Sequence, residues 1–163
     1  GPIIDIKEID IEKNVTKEEL IKKLNLVGKE MLVKVLNNII NDGILSHDQD
    51  DSKATYAKKI KSNFRKINFN LEVSKVYNHI RAFSPRPAAW FFINNERINI
   101  IKCSMKICDS QPSIILNNKF EIGCINGKIV SEIIQREGKR PVSTEEFLRG
   151  YKFDVGQIVN AKI

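Results

Sequence analysis

Apolar residues in this chain follow different rhythms in succession, and each rhythm predicts a different element. From Ile3 to Ile11 apolar and charged positions alternate, which is the period of an edge or surface strand. Leu20, Ile21, Leu24, Leu32, Val35, Leu36, Ile39 and Ile40 then recur at helical spacing behind Thr16 and Glu19, which have the separation of a capping box. Gly28 interrupts the stripe, so two helical pieces ending at Gly43 are expected. Residues His47 to Ser52 have no period and read as a polar linker; their Asp-rich run lacks the glycine and terminal glutamate of a calcium loop.

Beyond the linker, Val73, Val76, Tyr77, Ile80 and Phe83 make one helical face, with Asn70 expected as its N-cap. Pro85 and Pro87 restrict Ser84 and Arg86, so the helix must stop there and the chain must leave extended. Short strand-like runs follow: 89–93, 97–106, 113–116, 120–124, 128–135 and 156–159, with turn signals at Asn94-Asn95 and Asn126-Gly127. Ser143 and Glu146 predict a short capped helix before the last run, with Gly150 as its left-handed stop. Many short strands in so little chain suit a small closed barrel, with Trp90, Phe91 and Phe92 in its core rather than as base-stacking platforms.

Charge divides the chain the same way. Residues 1–51 carry a net −4 and residues 52–163 a net +11. Such asymmetry points to a polyanion as partner of the second part, although a merely lysine-rich solvated surface accounts for it equally well. Lys58, Lys59, Lys61, Arg65 and Lys66 place five cations in nine residues around Tyr56, Phe64 and Phe69, a pattern that suits a strap tracking phosphates. Cys103, Cys108 and Cys124 are odd in number and lack C-x-x-C spacing, so free thiols of a reducing cytosol are expected rather than a disulfide or metal site. His79 lies off the helical face without a nucleophile or carboxylate pattern and reads as a packed or surface histidine. No apolar run approaches the roughly 18 residues of a spanning helix, no signal-peptide pattern is visible, and no membrane partner is expected.

Two dense blocks carry a resemblance. Ile80-Arg-Ala-Phe-Ser-Pro-Arg-Pro-Ala-Ala-Trp-Phe-Phe92 and Gly138-Lys-Arg-Pro-Val-Ser-Thr-Glu-Glu-Phe-Leu-Arg-Gly150 resemble, in this order, segments of the C-terminal domain of methionyl-tRNA formyltransferases. Ala54 to Ile60 is similar to that family's linker, and residues 1–46 resemble the end of its catalytic domain. The resemblance implies an α+β fold: a small OB-like β-barrel with flanking helices over 70–163, a basic linker over 47–69, and a strand-helix remnant of a Rossmann-like formyltransferase domain over 1–46. It also implies the chemistry of the intact protein, transfer of a formyl group from 10-formyltetrahydrofolate as co-substrate to methionyl initiator tRNA in the cytoplasm. The family's catalytic Asn, His and Asp fall upstream of the matched region, so this chain is expected to hold no catalytic residue, cofactor or metal, with a catalytic domain supplied in cis or in trans. Gly1 in place of methionine fits a processed or truncated chain.

Expected phosphate contacts are Lys58, Lys59, Lys61, Arg65, Lys66, Arg86, Lys139 and Arg140. Two departures from the family pattern stand out. Arg86 stands where the family usually has an aromatic residue, and Arg65-Lys66-Ile67-Asn68-Phe69 stands where it has an Arg-Ile-Asp-Trp run, removing a carboxylate and shrinking an indole. Rival readings are a sister enzyme acting on nucleotide-linked amino sugars and a stand-alone RNA-binding or protein-interaction module.

Overall fold

The computed structural model describes residues 1–160, so the last three positions of the expected 70–163 domain lie outside the described residues. The chain divides into two compact units, Gly1–Lys59 and Ile60–Ile163.

In the first unit one helix dominates, α1, Lys17–Asp42. Its capping box forms as expected: Thr16 Oγ1 accepts from Glu19 N–H at 3.4 Å, and Glu19 Oε2 accepts from Thr16 N–H at 2.8 Å. Gly43 closes it at φ 81°, donating to the Ile39 carbonyl at 3.1 Å. The expected break at Gly28 does not occur. An interior glycine costs about 1 kcal/mol relative to alanine, too little to break a capped helix of 26 residues. The expected strand over Ile3–Ile11 is reduced to one bridge, in which Ile3 and His47 exchange backbone hydrogen bonds of 2.8 Å. Alternation alone makes no strand where no second strand pairs with it. α1 buries none of its residues, and Leu24, Leu32, Leu36 and Ile40 are exposed.

The second unit is built around a sheet. β1 (Ala89–Ile93), β2 (Glu96–Lys106), β3 (Glu121–Cys124), β4 (Gly127–Arg136) and β5 (Val142–Ser143) pair antiparallel in the order β1-β2-β4-β3, with β5 also on β4. A register shift near Lys102 lets the long β2 bend. Single rungs replace the strands expected over 113–116 and 156–159. Leu116 N–H donates to the Glu121 carbonyl at 2.8 Å, Ile115 N–H to Gln157 at 2.9 Å, and Asn160 N–H to Phe92 on β1 at 2.7 Å. The hydrogen-bonded circuit therefore returns to β1, and the mixed α+β class with flanking helices holds.

The alternating β1 sends Ala89, Phe91 and Ile93 into the core, where they meet Phe69, Ile80, Phe120, Ile129 and Ile134. Burial of each large apolar side chain contributes about 1.5 to 3 kcal/mol. Gly123 is required by close approach: a Cβ there would sit 1.9 Å from the Gln111 carbonyl oxygen. Helix α2, Val73–Phe83, packs on the sheet through Val73, Val76, Ile80 and Phe83. Its expected cap, Asn70, is not used. Glu72 holds the N-cap position without a side-chain bond, and the barrel itself caps the helix, the Ile125 carbonyl accepting from Val73 N–H at 3.0 Å. Helix α3, Thr144–Leu148, has Ser143 as its cap, accepting from Glu146 N–H at 3.1 Å. Gly150 is not a left-handed stop; Gly150 N–H instead tightens the last turn by bonding the Phe147 carbonyl at 3.2 Å.

Candidate nucleic-acid interface

The basic strap docks on the outer edge of β1 by alternation. Ile67 and Phe69 are buried, while Lys66, Asn68 and Asn70 stay exposed. Ile67 N–H donates to the Trp90 carbonyl at 2.8 Å, and Trp90 Nε1 donates back to the Ser62 carbonyl at 3.1 Å. Arg65 is committed to this docking. Its Nη1 donates to the Pro87 and Ala88 carbonyls at 2.6 and 2.9 Å, which ties the strap to the proline turn, where both prolyl bonds are cis. Ser84 Oγ holds the other side of that turn through the Ile101 carbonyl at 2.6 Å.

Around this dock the expected cations separate into groups. Lys61 and Lys66 are exposed, Lys66 Nζ lying 5.9 Å from the Trp90 ring centroid and 5.8 Å from that of Phe92. Arg86 is exposed in the proline turn. Lys139 is exposed in the turn after β4, and Arg140 beside it pairs with Glu146 at 2.9 Å. Lys58 and Lys59 are exposed in the first unit, at the end of an extended segment. Among the described residues, Lys58, Lys59, Lys61, Lys66 and Lys139 form no ion pair. Elsewhere on the second unit Lys75, Arg97, Lys102, Lys128 and Arg136 each have a carboxylate within 4 Å.

Sequence reasoning missed Arg97. Its guanidinium carbon lies 5.0 Å from the Trp90 ring centroid, it pairs with Glu137 at 3.2 Å, and its buried Nε has no partner. The signal was the hairpin register: Asn94-Asn95 as the turn sets Phe92 opposite Arg97 and so puts Arg97 on the Trp90 face. Ile98 faces Arg136, so the turn carrying Lys139 and Arg140 follows directly from this row. Lys66 and Arg97 thus flank the Trp90 ring, and Glu137, which pairs with Arg97, leads into the turn that carries Lys139.

Groups for covalent or metal chemistry are differently placed. Burial pushes the Cys103 and Cys124 thiols up to about 12, so both are protonated at neutral pH. Burial also lowers His79, whose ring packs against Phe83 with centroids 5.1 Å apart and whose Nε2 has no partner, leaving it neutral. Among the described residues no three His, Cys, Asp or Glu gather as a metal site, and no helix is long and apolar enough to cross a membrane.

Comparison with known proteins bears on this surface. The formyl transferase C-terminal domain matches residues 59–152. Methionyl-tRNA formyltransferase of Thermodesulfovibrio yellowstonii is 33% identical over 158 residues, covering 96% of this chain and 51% of that protein. The methionyl-tRNA formyltransferase of Rickettsia massiliae is 34% identical over 152 residues, covering 92% and 50%. The chain therefore spans about half the length of these relatives. Among solved structures, a variant of HypX from Aquifex aeolicus superposes with a TM-score of 0.70 at 13% identity, covering 90% of this chain and 28% of that one, a likeness of fold alone. WlaRD, a sugar 3N-formyl transferase, superposes with a TM-score of 0.56 at 27% identity, covering 86% and 51%. On the match over residues 59–152, this chain belongs to the formyltransferase family and corresponds to its C-terminal portion.

Proposed function

We propose that this chain is the tRNA-binding part of a methionyl-tRNA formyltransferase, whose strap and OB-like barrel hold methionyl initiator tRNA in the cytoplasm during translation initiation. The observation that carries the reading is the density of exposed lysines without an ion pair at Lys58, Lys59, Lys61 and Lys66, on a strap docked along β1, with Lys139 exposed in the turn after β4. A lysine with no protein counter-charge gains most from a phosphate, because binding releases its condensed counterions at no cost in a broken ion pair. Lys58, Lys59, Lys61, Lys66, Arg86 and Lys139 are the assigned phosphate contacts. Arg65 acts as a positioning residue, and Arg140 contributes after leaving Glu146.

Formyl transfer from 10-formyltetrahydrofolate is assigned to residues outside this chain. Acyl transfer needs a base and oxyanion donors converging on one carbonyl. His79 is packed on an aromatic ring, and two of the three thiols are held protonated. The likeness to a sugar formyltransferase favours a second reading, action on an amino sugar, but such a substrate gives the strap no string of phosphates to follow. Two assays test the proposal together. Purified chain is expected to bind tRNA at low salt and to leave methionyl-tRNA unformylated in the presence of 10-formyltetrahydrofolate. Turnover above background contradicts the assignment of catalysis, and absence of tRNA binding contradicts the proposed function.

A further inference from the structure

A cleft between the strap and the two rungs that close the barrel has a chemistry of its own. It is lined by Asn63, Lys66, Asn68, Asn70, Ser113 and Ile158. Two of its amides are oriented through their oxygens: Asn68 Oδ1 accepts from Asn70 N–H at 3.0 Å, and Asn70 Oδ1 accepts from Ser113 Oγ at 3.0 Å. Among the described residues each amide nitrogen is left as a donor without a partner. Lys66 also lines the cleft and forms no ion pair, its Nζ lying 5.8 Å from the Phe92 ring centroid, and no Asp or Glu lines the cleft. Asn160 frames the floor and is fully used, its Oδ1 taking Phe92 N–H and its Nδ2 bonding the Ile67 carbonyl. Ile158 leaves 59% of its surface exposed beside these donors.

Donors and a cation, with no opposing carboxylate, fit a ligand that presents acceptors and negative charge. Asn68 and Asn70 bring amides rather than carboxylates, which leaves Lys66 as the charged residue lining the cleft. We propose that this cleft is a phosphate subsite that seats one phosphodiester of bound RNA. Lys66 counters the charge, Asn68 and Asn70 donate to the free oxygens, and the adjoining nucleoside rests on Ile158. The subsite takes its source of phosphate from the RNA-binding reading above, and it sets register rather than base identity.

The test uses the full chain with Asn68→Asp, Asn70→Asp and, as control, Asn118→Asp. In the first two an oxygen still accepts the internal hydrogen bond while a donor becomes a charge that repels phosphate. The control adds the same charge at an exposed amide that does not line the cleft. At fixed low salt, tRNA affinity is expected to fall about tenfold for each cleft variant and about twofold at most for the control. Side-chain amide NMR signals of Asn68 and Asn70 are expected to shift on titration with inorganic phosphate and, at lower concentration, with a short single-stranded RNA. Equal losses in all three variants, with both amide signals silent, overturn the subsite and leave the strap reading standing. A wild-type chain that binds no tRNA overturns that reading instead; amides that shift with inorganic phosphate but not with RNA then make the ligand free phosphate, which overturns the phosphodiester.

Discussion

Arg65 illustrates how a single residue changes meaning between sequence and structure. In the sequence it is one of five clustered cations; in the fold its guanidinium holds the strap against the Pro87 and Ala88 carbonyls. Arg65→Ala is therefore expected to lower stability by about 1 to 3 kcal/mol, as charge-assisted hydrogen bonds are lost and a part-buried carbonyl is left unpaired. A urea midpoint equal to wild type would remove Arg65 from the docking. The thiols give a second expectation at this scale. Cys103 and Cys124 are held up to about 12 from an ordinary value of 9.0, so the folded state keeps protons that unfolded thiols release first. Their contribution to stability is complete below about pH 9 and is lost as pH rises from there to about 12. At pH 8 a thiol reagent should modify Cys103 and Cys124 more slowly in the native chain than in the unfolded one; equal rates in the two states would contradict their retention of the proton.

Among elements, those marked by local chemistry were legible. β1 through β4 follow from alternation and from asparagine turns, and α2 stops where its prolines require. Elements set by distant partners were not. The rungs at 113–116 and 156–159 depend on edges supplied by β3 and β1, the cap of α2 comes from the Ile125 carbonyl rather than from Asn70, and the strand at Ile3–Ile11 found only His47. Of the site, the cationic strap was readable as composition. The commitment of Arg65, the stacking of Arg97 and the amide cleft were not, because each needs the fold to bring separated segments together. Gly123→Ala tests the tightest of these crossings. A methyl driven into the Gln111 carbonyl must displace backbone, so a loss of about 3 kcal/mol or failure to fold is expected. Gly28→Ala is the opposite case: no heavy atom lies within 4 Å of the new Cβ, and α1 should gain about 1 kcal/mol in helical stability, visible by circular dichroism.

In the whole molecule, the helix of the first unit buries none of its residues, the second unit has one aromatic and aliphatic core, and RNA binding is proposed for the strap and the sheet it docks on. Amide exchange should be fast through residues 1–46 and strongly slowed in residues 88–134. Binding through phosphates by lysines without an ion pair is tested by tRNA affinity across a salt series for wild type and for the combined variant Lys58→Ala, Lys59→Ala, Lys61→Ala. Affinity should fall steeply with salt, similarly for initiator and elongator tRNA, and the variant should bind more weakly with a slope shallower by roughly two to three units, at about 0.7 to 0.9 per lost contact. An unchanged slope in the variant, with binding intact, would contradict the assignment of these lysines as phosphate contacts.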